Sequence, residues 1–328
     1  MSSSFPVTRR RLLQSGAGAF ALGLLGTRAA WAQDDYPGKS IRFIVGPGPD
    51  ILARMVGEKL QQTWTQAVVI DQRPAAGGIV AGDAVAKAPP DGYTLLLSTG
   101  SYTINSALRV KSPYDFTKDL MPVSLMATLP FILVVSSTLK VHSLRDLVEF
   151  ARARPGTLNF ASSGNGTPAH LAGEMLKQMA KIDILHVPYK GAAAGVTDVM
   201  GGQVQMMFVP APTALQLVET GRLQALAVSS PKRYFALNKV PTVAEQGYPD
   251  FAVVGWNGIH LPAKTPTAVA DKLNREVARI LRLPDVRERA MAAGFEPIGS
   301  TSDEFKAFVA ADIARATAVI RAGNIQAE

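Results

Sequence analysis

Short runs of β-branched residues and leucine alternate along this chain with stretches in which apolar positions recur every three or four residues. Residues 41–45, Ile-Arg-Phe-Ile-Val, form the first run. A Gly-Pro-Gly-Pro turn follows, and then Asp50, which can cap a helix whose apolar positions Ile51, Leu52, Met55, Val56 and Leu60 share one face. Residues 68–70 and 93–98 predict two further strands, with a helix opened by residues 73–78 and running through Lys87 between them. The third strand runs into Thr99, Gly100, Ser101, Tyr102 and Thr103. Residues 123–135 read as extended chain.

The same rhythm then restarts. A helix carries Leu144, Leu147, Val148 and Ala151. Residues 158–170 read as strand, Ser/Gly turn and helix N-terminus, and the helix presents Leu171, Met175, Leu176 and Met179 at core spacing. Strands are predicted at 184–187, 204–208 and 225–228, with a short helix after Gly191 and another near residues 215–219. Residues 251–260 are extended again, and the tail is helical, with Val269, Leu273, Val277, Ile280 and Leu281, then Phe305, Phe308, Val309, Ile313 and Ile320, on apolar faces. Continuous apolar strands separated by helices imply parallel sheet covered on both faces. Two successive series with crossings near 126–133 and 253–261 imply an α/β protein of two lobes joined by two strands. The first lobe takes residues 33–127 and 254–328, the second 128–253. Ligands of such sheets bind beyond the carboxyl ends of the strands, where all of these turns gather.

The turn within residues 158–170 is the most informative. Thr167 is a good N-cap and Pro168 suits the first helical position, so the amides of Ala169, His170 and Leu171 are left without helical partners. With the helix dipole and the hydroxyls of Ser162 and Ser163 they offer a place for a small anion, although the same glycines also suit an ordinary strand-to-helix turn.

Composition narrows the function. Residues 8–14 form a basic stretch with twin arginines, Gly16 to Gly26 is apolar, and Ala30-Trp31-Ala32 fits a cleavage site. The apolar part is about half of the ~20 residues a membrane span requires. These features predict a Tat-type export signal over residues 1–32, cut after Ala32. The signal holds four arginines and no acid, so the net charge of +8 falls to +4 for the remainder. No basic stripe for nucleic acid is left. Absence of cysteine removes thiol catalysis and cysteine-ligated metals.

Candidate chemistry is sparse. Gly164 to Ala169 fits a dinucleotide glycine pattern, with Asp183 at a suitable distance, but Asp183 stands at the beginning of the next strand and not at its carboxyl end. His142, His170, His186 and His260 are scattered without ligand spacing. His186 and His260 lie on apolar strands and suit structural hydrogen bonds. His170, in the first helical turn, suits either donation to a carboxylate or a solvated position. No catalytic residue, metal or cofactor is expected.

The ordered set Arg73-Pro-Ala-Ala-Gly-Gly78, Pro90-Asp-Gly-Tyr-Thr-Leu-Leu-Leu97, Ser163-Gly-Asn-Gly-Thr-Pro-Ala-His-Leu-Ala-Gly-Glu174, His186-Val-Pro-Tyr-Lys-Gly191, Gly202-Gln-Val-Gln-Met-Met-Phe208 and Pro241-Thr-Val-Ala-Glu245 resembles the Bug family, the solute-binding receptors of tripartite tricarboxylate transporters. The resemblance implies a monomeric periplasmic clamshell that closes over a small-molecule carboxylate and presents it to a membrane permease. A carboxylate sensor acting on a membrane kinase is the alternative, and a nucleotide-binding enzyme a more distant one. Carried onto this chain, the resemblance places Gly46, Pro47, Gly48, Thr99, Gly100 and Ser101 in the first lobe's wall. Ser162, Ser163, Gly164, Thr167, His170, Tyr189, Lys190 and Gly191 form the second. Two departures stand out: the loop before Asp50 is about four residues shorter than the family's, and Val209 and Pro210 occupy positions where many members carry an acid. The second departure predicts a ligand without an ammonium group.

Overall fold

The structure, a computed structural model, describes residues 36–46, 48–73, 76–323 and 325; the expected export signal lies outside them. The first section is built from β1 (Ile41–Val45), α1 (Ile51–Trp64), β2 (Val68–Gln72), α2 (Ile79–Ala86), β3 (Thr94–Thr99) and α3 (Gly100–Ala107). The long strand β4 (Leu120–Val135) leads to α4 (Leu144–Ala153), β5 (Leu158–Ser162), α5 (Pro168–Ala180), β6 (Ile184–Pro188), α6 (Ala192–Met200), β7 (Met206–Pro210), α7 (Ala211–Glu219) and β8 (Gln224–Val228). The chain returns through β9 (Val254–Pro262) and ends with α8 (Thr267–Arg282), α9 (Pro284–Ala292), β10 (Glu296–Pro297) and α10 (Ser302–Gly323).

The strands follow the order β2-β1-β3-β9-β4-β7-β5-β6, with β8 and β10 also on β4. The flanks, β2-β1-β3 and β6-β5-β7, are parallel, whereas every pairing of β4 and β9 is antiparallel. This is a two-lobed α/β fold with two crossing strands. Residues 120–130 of β4 pair with β9, and residues 131–135 pair with β7, so one strand serves both sheets.

Burial follows the sequence periodicities. Leu273, Val277, Ile280 and Leu281 of α8 are buried together against Leu52, Val56 and Leu60 of α1 and the first sheet, and Val269 is buried as well. Each such side chain contributes roughly 1.5–3 kcal/mol by leaving water. A second core gathers Leu144, Leu147, Leu158, Phe160, Leu176 and Phe208. Ile104 of α3 and Ala316 and Ile320 of α10 join this second core, so both helices touch the two lobes.

Three local expectations change. The residues after β3, for which the sequence predicts no element, begin a helix at Gly100. Gly77 and Gly78 adopt left-handed conformations (φ 59° and 98°), which delay α2 until Ile79. Asp50 precedes α1 without capping it: at φ −96°, ψ 5° it is not extended, and its carboxylate binds Arg54 (2.7 Å) and Gln72 (2.6 Å).

Candidate functional site

Each parallel strand delivers its carboxyl end to a turn and then a helix, which leaves unpaired amides along one edge. In the first lobe, β3 ends at Thr99, whose extended backbone (φ −140°, ψ 174°) starts α3 while its hydroxyl makes no capping bond. Gly100 and Ser101 are buried immediately behind it. The next turn of α3 is anchored from outside, because Thr103 Oγ1 donates to Asp312 of α10 at 2.6 Å and Trp256 Nε1 of β9 donates to the same oxygen at 2.9 Å. Arg315 pairs with the other carboxylate oxygen of Asp312.

In the second lobe the turn after β5 is tied by its own hydrogen bonds. Thr167 Oγ1 accepts the His170 amide (3.4 Å) and donates to the Gly164 carbonyl (2.7 Å), with Pro168 at the first helical position. Ser162 Oγ accepts the Gly164 amide at 3.1 Å and stands 2.7 Å from His186 Nε2. The Tyr189 amide donates to the Ser162 carbonyl (3.1 Å), which brings the turn after β6 alongside. Ser163 is half-buried, and its hydroxyl has no hydrogen-bond partner among the described residues.

One arrangement recurs in both lobes. Ser98, one residue before the end of β3, bonds His260 Nδ1 of β9 at 2.7 Å, as Ser162 at the end of β5 bonds His186 of β6. His260 packs on Phe116 and Phe305, and His186 on Phe160 and His170. Burial holds both imidazoles neutral, lowering each to about 3; nearby His170 and Lys177 add to the effect at His186. Both residues therefore hold serines in place.

The two walls meet at glycines. A Cβ at Gly100 would lie 2.9 Å from Pro168 Cγ, so the N-termini of α3 and α5 abut. A Cβ at Gly77 would come within 3.5 Å of the Asn165 carbonyl, and one at Gly166 would run into Asn105 Oδ1. Each helix N-terminus carries the equivalent of roughly half a positive charge, and two such ends brought close together favour an anion beside them.

The structure brings Gly100 against Pro168, the residue directly after Thr167 in the second lobe's turn. Gly46 adjoins Gly78 and the Tyr102 hydroxyl, Gly48 is exposed, and Pro47 lies outside the described residues. Gly164 adjoins the Tyr189 carbonyl, but the Tyr189 hydroxyl is committed to Asp198 of α6 (2.7 Å). Lys190 is exposed and Gly191 (φ 116°) opens α6. His170 is buried, its ring 4.1 Å from that of His186 and its Nδ1 accepting the Gly166 amide at 3.4 Å, so it is not a solvated side chain. Val209 and Pro210 are buried at the end of β7, paired with Ile132 and Phe131. Gly77, Asn105, Asn165 and Gly166 were not among the expected wall residues. Gly77 and Gly166 stand inside recognised motifs, whereas nothing near Asn105 in the sequence marks it. Two surface hollows, of 660 Å³ beside Tyr102 and Arg109 and 820 Å³ between Leu215 and Met291, include none of the expected wall residues. No group of three or more His, Asp and Glu side chains among the described residues could hold a metal ion.

The family model described as tripartite tricarboxylate transporter family receptor matches residues 52–325. Protein BugT of Bordetella pertussis is 36% identical over 302 residues, covering 90% of this chain and 93% of BugT. The structure of Rpa4515 from R. palustris with adipate superposes with a TM-score of 0.86 at 33% identity, covering 89% of this chain and 99% of that one. MatC from Rhodopseudomonas palustris with bound malate gives a TM-score of 0.81 at 27% identity, covering 87% and 100%.

Proposed function

The chain belongs to the tripartite tricarboxylate transporter receptor family, and we propose that it is a periplasmic solute-binding protein that captures a small carboxylate by lobe closure and delivers it to a tripartite tricarboxylate-type permease. The observation that carries this reading is the abutment of two helix N-termini at Gly100 and Pro168, a place where an anion relieves the repulsion of like dipole ends. Adipate in one relative and malate in another are ligands of the same chemical kind. The moving bodies are residues 33–127 with 254–328, and residues 128–253. Thr99, Gly100 and Ser101 grip the ligand from one side, with the loop at Gly46 to Gly48. Ser163 grips it from the other together with the α5 N-terminus that Thr167 caps, supported by Ser162, Gly164, His170 and the turn at Tyr189 to Gly191. Residues 1–32 export the chain through a Tat-type signal removed after Ala32, and the mature protein works as a monomer without catalysis.

The ligand carries no ammonium group, since Val209 and Pro210 present no acid at the end of β7. A thermal-shift screen of the mature chain against a carboxylate panel tests the reading: a specific ligand raises the melting temperature by mass action. Adipate or malate is expected to do so, and aspartate and glutamate are not. A panel without any stabilising carboxylate rejects the function, and tight glutamate binding rejects the specificity.

A further inference from the structure

Asn105 has no place in the carboxylate grip, yet it stands where three segments meet. It lies on α3, five residues after Gly100, and its Nδ2 donates to the Gly77 carbonyl at 3.2 Å. On its other side Oδ1 rests against Gly166 of the second lobe so closely that a Cβ there would collide with it. Gly166 is left-handed (φ 68°), as is Gly77 (φ 59°), and the Asn165 carbonyl approaches Gly77 from across the cleft. The side chain thus ties down the first lobe's double-glycine turn while touching the second lobe's Ser-Gly turn. Gly77, Gly100 and Gly166 stand at contacts where a Cβ would press on the opposite lobe or on Asn105.

We propose that Asn105 is a closure latch: a positioning residue that holds the turn of residues 162–167 against the Gly77-Gly78 turn once the lobes have closed. This rests on the carboxylate-receptor reading and names the device that retains the ligand. Contacts between Asn105 and the second-lobe turn exist only in the closed arrangement, so they raise the closed population without adding a bond to the ligand. The apparent affinity is the intrinsic affinity scaled by the fraction of closed-competent molecules. Loss of the latch therefore acts on release. Capture, governed by the open state, stays as it was. The same α3 carries Gly100 and Ser101 at its N-terminus, so the latch also fixes the amides of the first wall in register with those of the second.

The test compares wild type with Asn105→Ala, using adipate and malate as probes and stopped-flow measurement of association and dissociation. Dissociation is expected to quicken by about tenfold with association changed less than about twofold, as a shift confined to the closed state requires. An unchanged dissociation rate in a chain that binds the probe overturns the latch. Should wild type bind neither probe, the latch is judged without ligand by spin labels at Lys87→Cys and Glu219→Cys, while the carboxylate reading is judged separately by the thermal-shift panel. The chain has no cysteine of its own to compete for the label. Removal of Asn105 then widens the interlobe distance, and identical distributions overturn the proposal. Asn105→Asp, which keeps the shape and replaces the donor facing Gly77 with an acceptor, serves if the alanine variant does not fold, with the same expected direction. A double-mutant cycle separates the latch from general destabilisation: Gly166→Ala is strained in any background, but its additional effect on release should vanish when Asn105 is alanine. An effect of equal size in both backgrounds counts against a contact between the two residues.

Discussion

Ser98 of β3 is held by His260 on one neighbouring strand, and Ser162 of β5 by His186 on another, so the two walls of the cleft share a foundation. They differ in what stands on it. The second wall is a turn closed by its own hydrogen bonds from Ser162, Thr167 and the Tyr189 amide. In the first wall, Thr99 makes no capping bond, Gly48 is exposed, and α3 is anchored through Thr103 to Asp312 of the last helix. We expect the second wall to be shaped before the ligand arrives and the first to be shaped by what packs behind it and by closure. Preorganised groups lose less entropy on binding, so the second wall should supply most of the affinity and the first should supply the motion.

That division can be broken most forcefully at the second wall. Ser163→Ala combined with Thr167→Ala should weaken carboxylate binding by roughly a hundredfold or more, as expected for losing one hydrogen bond to a charged group together with the cap that holds the turn and the α5 amides in place. Calorimetry checks it, together with melting curves, because loss of the Thr167 cap alone costs about 1 kcal/mol of stability. Retained affinity would transfer the leading role to the first wall.

Gly100→Ala addresses closure. Its Cβ meets Pro168 at 2.9 Å, so the lobes stop short, and binding should fall by roughly tenfold with a less compact liganded state, the cost of mild overpacking. A liganded radius equal to that of wild type would show that the helix ends do not need to touch.

The smallest expected effect concerns the shared foundation. His186 and His260 titrate near 6.5 when unfolded and near 3 when folded. Between those values the unfolded chain binds protons that the folded chain does not. Their contribution to stability is therefore complete above pH 6.5 and declines as pH falls. Urea unfolding should show lower stability at pH 5 than at pH 7, while carboxylate affinity, corrected for the ligand's own protonation, stays level because neither imidazole gains charge. A strong change in affinity over that interval would place a titrating histidine in the grip itself.

Much of this architecture was legible from local patterns. Thr167-Pro168 announces the start of α5 by chemistry that the structure reproduces, and the apolar stripe of α8 marks its buried face without ambiguity. The antiparallel centre was less readable, since a buried strand such as β4 looks the same whichever way its neighbours run. Asp50 illustrates a different limit: its residue type suits a cap, but Arg54 and Gln72 compete for the carboxylate, and the backbone follows them. Interlobe contacts are the least visible of all. Asn105 is unremarkable on its own helix, and its meaning comes from glycines 28 positions before it and 61 after it, which only the fold brings together.

A carboxylate held between two walls that close on it should make the molecule more compact. Small-angle scattering of the mature chain, titrated with the carboxylate that most raises its melting temperature, tests this most directly. Closure predicts a saturable decrease in the radius of gyration that follows the binding isotherm. A radius unchanged at saturation would contradict the account.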